Sequence, residues 1–137
     1  MRKGLTHGLP LFLYAAAIFA VSSLPKPPPL PSVEGADKAL HFVAYAGLAF
    51  LFTRAYRAYW PGLSGWGLGN LSLLSAALYG LLDEIHQAFV PGRSADPADW
   101  LADSLGAAAG TLAYLLATRR RRAGSARGRL DRSREPV

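Results

Sequence analysis

The chain has 137 residues, of which 51% are apolar and 18% charged; it has no cysteine and a net charge of +6. That length holds one domain, and the missing cysteine excludes a disulfide framework, a thiol nucleophile and a thiolate metal site. Nucleic acid is not the expected partner of the positive charge. Eight of the 15 basic residues, Arg119 to Arg122, Arg127, Arg129, Arg132 and Arg134, are collected in residues 119–137 behind an apolar run, as in a basic tail flanking the cytoplasmic face of a membrane.

The apolar residues come in blocks. Four blocks approach the roughly 20 residues that cross a bilayer: near 9–24, 39–56, 68–90 and 100–118. Backbone groups in hydrocarbon must be satisfied internally, so the blocks are predicted to be helices; they lack the period-two alternation of barrel strands. The first has a second reading as a signal peptide, with Arg2 and Lys3 before the apolar core and Ala20-Val21-Ser22 as a cleavage site. Pro25, Pro27, Pro28, Pro29 and Pro31 make the first loop extended and polyproline-like. Residues 58–67 form a second loop, where Tyr56, Tyr59, Trp60 and Trp66 suit a membrane–water interface. The third loop is a short turn from Pro91 to Pro97, and Asp96 or Asp99 is placed to cap the fourth helix. After Thr118 apolar residues almost vanish, and a disordered tail is expected. The expected fold is therefore all-α: a four-helix membrane domain over residues 1–118, then an Arg-rich tail over 119–137.

Charge orients the spans. With the N-terminus in the cytoplasm, Arg2, Lys3, Arg54, Arg57 and the eight tail arginines lie inside, and Lys26, Lys38 and Arg93 lie outside. Positive-inside reasoning favours this N-in, C-in topology in the bacterial cytoplasmic membrane. Seven of the nine acids then fall at outer ends: Glu34, Asp37, Asp83, Glu84, Asp96, Asp99 and Asp103.

Those acids bring partners with them. Asp37, His41 and Tyr45 share a face of the second helix, with Lys38 beside them. On the third helix Gly80, Glu84 and Gln87 line one face, with Asp83 and His86 at its side; on the fourth, Asp99, Asp103, Gly106 and Gly110 form one stripe. A charge at mid-membrane costs roughly 2.5–3.5 kcal/mol. Glu84 lies seven residues before Pro91, about 10 Å along the helix, too deep for a short side chain to reach water. Glu84 and Asp103 should face the bundle interior and pair with Lys38, His41, His86, Gln87 or Arg93, or be protonated. Simpler roles compete: helix caps for Asp37 and Asp99, snorkelling for Lys38, a lining role for His86, an interfacial anchor for Trp100. Gly106 and Gly110, spaced as small-xxx-small, suit close helix packing.

The patterns Asp37-Lys38-x-x-His41-Phe42-x-x-Tyr45-x-x-Leu48, Asp83-Glu84-x-x-Gln87-x-Phe89-x-Pro91-Gly92-Arg93 and Asp96-x-x-Asp99-x-x-x-Asp103-x-x-Gly106-x-x-x-Gly110 together resemble the VanZ-like family of small bacterial membrane proteins. The resemblance spans roughly residues 9–117. It implies a four-helix integral membrane protein and an association with resistance to the glycopeptide teicoplanin; it supplies no reaction. It also implies Asn in many relatives where this chain has Asp103.

Three functional readings follow. In the first, a polar pocket on the outer side holds part of an envelope lipid or cell-wall precursor, with His41, Glu84, Gln87 and Arg93 in contact and Arg93 suited to phosphate or carboxylate. In the second, Asp83, Glu84, His41, His86 and the Asp99/Asp103 pair serve an intramembrane enzyme as acid and base or as ligands to a divalent ion. Asp-Glu-x-His matches no strong metal signature, so no metal or cofactor is assigned. In the third, the acids belong to a transporter subunit, although no acid sits in the inner half of a span. Membrane lipids are the expected partners, and the oligomeric state is left open.

Overall fold

The computed structural model describes residues 2–25 and 35–132, with residues 121–132 described as backbone alone. Four helices make up the fold: α1 Leu9–Ser22, preceded without a break by a π-helical turn at Gly4–Gly8, then α2 Ala36–Tyr59, α3 Gly65–Gln87 and α4 Pro97–Arg132. No strand occurs among the described residues. Most of the polyproline loop (Pro27, Pro28, Pro29 and Pro31, with Lys26 and Glu34) lies outside the described residues, as do Arg134 and Glu135.

The boundaries follow local chemistry. Ser64 caps α3 by accepting from the Gly67 N–H at 3.0 Å. Asp96 caps α4 by accepting from the Ala98 N–H at 2.8 Å, with Pro97 in the first helical position. Asp37 and Asp99 are not caps: Gly35, at φ 79°, precedes α2, and both acids sit in first turns. Past Thr118 the helical backbone runs on to Arg132, and residues 133–137 of the tail lie outside the described residues. Arg, Ala and Leu are strong helix formers, and two glycines among them do not outweigh that preference.

Packing is inverted relative to a water-soluble domain. Many large apolar side chains point outward, including Phe12, Leu74, Leu78, Phe89 and Leu105. The interior is made of small and polar residues: Ala49, Ala76, Ala107, Thr53, Ser72, Asp83, Glu84, Gln87 and Asp103, with Tyr45, Leu48 and Leu68. Burying carboxylates while exposing leucine and phenylalanine is favourable only where the surroundings are apolar. Three helical stretches, Gly4–Ser22, Ala36–Tyr59 and Pro97–Arg120, are long and apolar enough to cross a membrane. The third helix, which carries Asn70, Ser72 and Ser75 among its leucines, is not among them.

The α2 and α4 helices form the most extensive pair. Their backbones approach where Gly106 faces the Phe42 carbonyl and Gly110 faces the Ala46 carbonyl; a Cβ at either glycine would collide with that backbone. By contrast, α1 touches α2 and α3 sparingly.

Candidate functional site

One end of the bundle collects the polar residues. It is built from the C-terminal ends of α1 and α3, the N-terminal ends of α2 and α4, and the loop between α3 and α4. That loop turns sharply at Pro91-Gly92: Gly92 sits at φ 79° and the Arg93 N–H donates to the Val90 carbonyl at 3.1 Å, as a type II turn with Pro and Gly at its centre requires. The turn sends Arg93 back over the end of α3.

Two sub-networks share this end. The first runs from α1 across α3 to the turn. Ser22 Oγ donates to Asp83 Oδ1 at 2.6 Å, and Gln87 Nε2 donates to Asp83 Oδ2 at 3.0 Å. Gln87 Oε1 accepts from Arg93 through Nε at 3.2 Å and also through an Nη group. His86 lies outside this line, with Nε2 at 3.0 Å from Ser23 Oγ and its ring against Phe19.

The second runs across α2, α3 and α4. Lys38 Nζ bridges three carboxylates: Asp96 and Asp99 at 3.0 Å each and Asp37 at 3.2 Å. His41 Nδ1 meets Asp103 Oδ1 at 2.9 Å, while its Nε2 stands 3.9 Å from Asp99 Oδ2. Glu84 Oε2 accepts the Asp96 backbone N–H at 2.8 Å. The Tyr45 ring lies parallel to the His41 ring. Tyr45 Oη and Asp103 Oδ2 are buried and have no hydrogen-bond partner among the described residues. Asp96, on the loop, has its carboxyl held below the usual carboxylate range, chiefly by the Ala98 N–H and then by Lys38.

A cavity of about 590 Å³ opens between these networks. Tyr14, Ala17, Ile18 and Val21 of α1, with Leu40 and Ala44 of α2, form its apolar wall; Asp83, His41, Arg93 and Asp99 are among its polar lining. Such a cavity suits an amphiphile. His41, Glu84 and Asp99 each offer one ligand atom, all within 4.8 Å of one another, and are the residues best placed to hold a cation.

The eleven pocket candidates named from the sequence (Asp37, Lys38, His41, Tyr45, Asp83, Glu84, Gln87, Arg93, Asp96, Asp99 and Asp103) all lie at this end, but not as one constellation. Asp83 and Glu84 are adjacent on α3 and face different neighbours, Asp83 toward α1 and Glu84 toward α4. Among the described residues Arg93 bonds the Gln87 amide, not a carboxylate. Two contributors, Ser22 and Ser23, carry no signal strong enough to have been read from the sequence, because they look like the polar end of an apolar run. Gly80, which the helical pattern sets on one face with Glu84 and Gln87, owes its place to close packing: a Cβ there would lie 2.8 Å from Asp103 Oδ2 and 3.1 Å from Tyr45 Cε1. Trp100, at the edge, donates from Nε1 to the Ala77 carbonyl at 3.0 Å.

Membrane-length helices that turn their leucines outward and enclose ionisable groups at one end define a class: a small helical membrane protein with an internal polar site. Within that class, the chain belongs to the VanZ/LLP1 family, whose model matches residues 6–118. No curated protein and no solved structure matches it.

Proposed function

We propose that the chain is a multi-pass protein of the bacterial cytoplasmic membrane, N-in and C-in, whose polar end faces outward and binds the headgroup region of an envelope lipid or lipid-linked cell-wall precursor. The observation that carries this reading is the two-sided cavity, apolar along α1 and lined elsewhere by the carboxylates of Asp37, Asp83, Asp96 and Asp99. An acyl or prenyl chain lies along α1, where packing against the bundle is sparse. Hydroxyl or amine groups of the headgroup meet Asp83 and Asp99, and a phosphate reaches Arg93 at the rim, whose guanidinium bonds a neutral amide among the described residues. A carboxylate-rich floor disfavours a bare phosphate, so the ligand is one that carries donors as well. The glycopeptide link implied by the family resemblance fits a ligand of this kind, since glycopeptides act outside the membrane.

Titration of the purified chain in nanodiscs with a polyprenyl-diphosphate-linked sugar tests the reading. Saturable binding that Arg93→Ala weakens about 10-fold or more, a charge-assisted contact of about 1.5–3 kcal/mol, is the expected result. Binding equal to that of a plain phospholipid, or indifferent to Arg93, ends it.

A second reading, an intramembrane hydrolase or transferase, is favoured by one arrangement: His41 oriented by a buried carboxylate, with its other ring nitrogen toward the cavity, as in a general base. Turnover of lipid-linked phosphates by the same nanodiscs, abolished in His41→Gln, is its expected signature.

A further inference from the structure

We propose that His41, Glu84 and Asp99 bind one divalent transition-metal cation, with Zn2+ and Mn2+ as the matching ions. The three residues come from α2, α3 and α4, and their ligand atoms lie within 4.8 Å of one another. Metal–ligand bonds of about 2.0–2.2 Å put neighbouring ligand atoms roughly 3.3 Å apart, so the side chains close inward by about 1 Å on binding.

Three features point to a cation there. His41 is already oriented: Nδ1 is held by Asp103 Oδ1 at 2.9 Å, which leaves Nε2 toward Asp99 Oδ2. A carboxylate behind a histidine fixes the ring and raises the basicity of the metal-facing nitrogen. The charges are also unbalanced. Lys38 serves Asp37, Asp96 and Asp99, and Arg93 serves an amide. Glu84, 4% exposed, and Asp103, fully buried, have no lysine or arginine partner among the described residues. A buried charge without a partner is costly, and a doubly charged ion supplies the balance. Finally, Tyr45, whose ring lies parallel to that of His41, has a buried Oη with no hydrogen-bond partner among the described residues.

The donor set selects the metal. One imidazole and two carboxylates exclude soft, thiolate-seeking ions and disfavour Ca2+ and Mg2+, which take oxygen alone. Three protein ligands leave room for an exogenous one, as in catalytic and ligand-exchanging zinc sites. This proposal goes beyond lipid binding and does not depend on it, because the ion is measured without precursor.

The full-length chain in detergent, stripped with chelator and dialysed, is titrated with Zn2+ and with Mn2+. One equivalent per chain is expected, unaffected by millimolar Mg2+. Glu84→Gln and Asp99→Asn should weaken binding about 100-fold or more, and Asp103→Asn about 10- to 100-fold through the histidine it orients. His86→Gln should leave it unchanged, because His86 bonds Ser23 and packs on Phe19, away from the three ligands. Electron spin-echo spectra of the Mn2+ form should show coupling to one imidazole nitrogen; this readout stands even where a variant fails to fold. No saturable binding, no nitrogen coupling, or loss of binding in His86→Gln in place of Glu84→Gln overturns the site.

Discussion

The two ends of the bundle satisfy their buried polar groups in opposite ways. Away from the polar end, hydroxyls mostly turn back on their own helix: Thr53 Oγ1 donates to Ala49 O at 2.7 Å and Ser72 Oγ to Leu68 O at 2.8 Å. Tyr56 with Ser75 is a neutral exception that crosses helices. At the polar end the bonds cross elements: Ser22 to Asp83, Lys38 to Asp99, His41 to Asp103, and the Asp96 backbone to Glu84. A hydroxyl bonded to its own helix asks nothing of its neighbours and can be lost cheaply. Bonds across elements hold helices in register and keep ionisable groups in place in an apolar setting.

Glycines on one helix test the contrast most severely. Both Gly69 and Gly80 lie on α3. A Cβ at Gly69 meets Leu115 Cδ1 at 3.7 Å and Thr111 Cγ2 at 3.9 Å, ordinary contacts. At Gly80 it meets Asp103 Oδ2 at 2.8 Å and Tyr45 Cε1 at 3.1 Å, both on fully packed side chains. Gly80→Ala should therefore cost about 2–3 kcal/mol, as overpacking does. Gly69→Ala should gain about 0.5–1 kcal/mol from helix propensity. Unfolding in mixed micelles measures both. Equal effects at the two positions would mean that the polar end is no more tightly specified than the rest.

A gentler comparison deletes the same atom at each end. Ser22→Ala removes a short bond to a carboxylate and leaves Asp83 Oδ1 without its donor; about 1.5–2 kcal/mol is expected. Ser72→Ala removes a bond within one helix and should change stability by less than about 0.5 kcal/mol. The same micelle unfolding reads both, and a Ser72 effect as large as that of Ser22 would erase the distinction between the ends.

Much of this organisation can be read before any coordinates. The helices lie close to the apolar blocks because about 20 apolar residues leave the backbone no alternative to a helix. Glu84 stands out because its depth cannot be explained by capping. What cannot be read is which neighbour each residue finds. Asp83 and Glu84 are one residue apart and so about 100° apart around α3; their partners depend on the order of the helices around the bundle, which no span records. Gly80 matters because of what faces it, and Ser22 because α1 ends beside α3. The length of the α4 backbone is hidden for a different reason. Low apolar content argues against a packed core, but a helix rich in arginine and alanine needs no core to hold its backbone form.

The smallest expected effect separates the two helix caps. Ser64, at the N-terminus of α3, has no titratable group; Asp96, at the N-terminus of α4, does. The Asp96 carboxyl sits below its ordinary value of 3.8, first because it accepts the Ala98 N–H and then because Lys38 is bonded to it. The folded state thus binds a proton at Asp96 less readily than the unfolded state does. Its contribution is complete above the ordinary carboxylate range and is lost as pH falls through the depressed folded value. Carboxyl carbon NMR of the detergent-solubilised chain should place the Asp96 midpoint below 3.8, and Lys38→Met should raise it only part of the way, because the Ala98 N–H remains. A midpoint at or above 3.8 in the unmodified chain would show that cap and ammonium do not act on the same carboxylate, and the link from the loop to Lys38 would have to be abandoned.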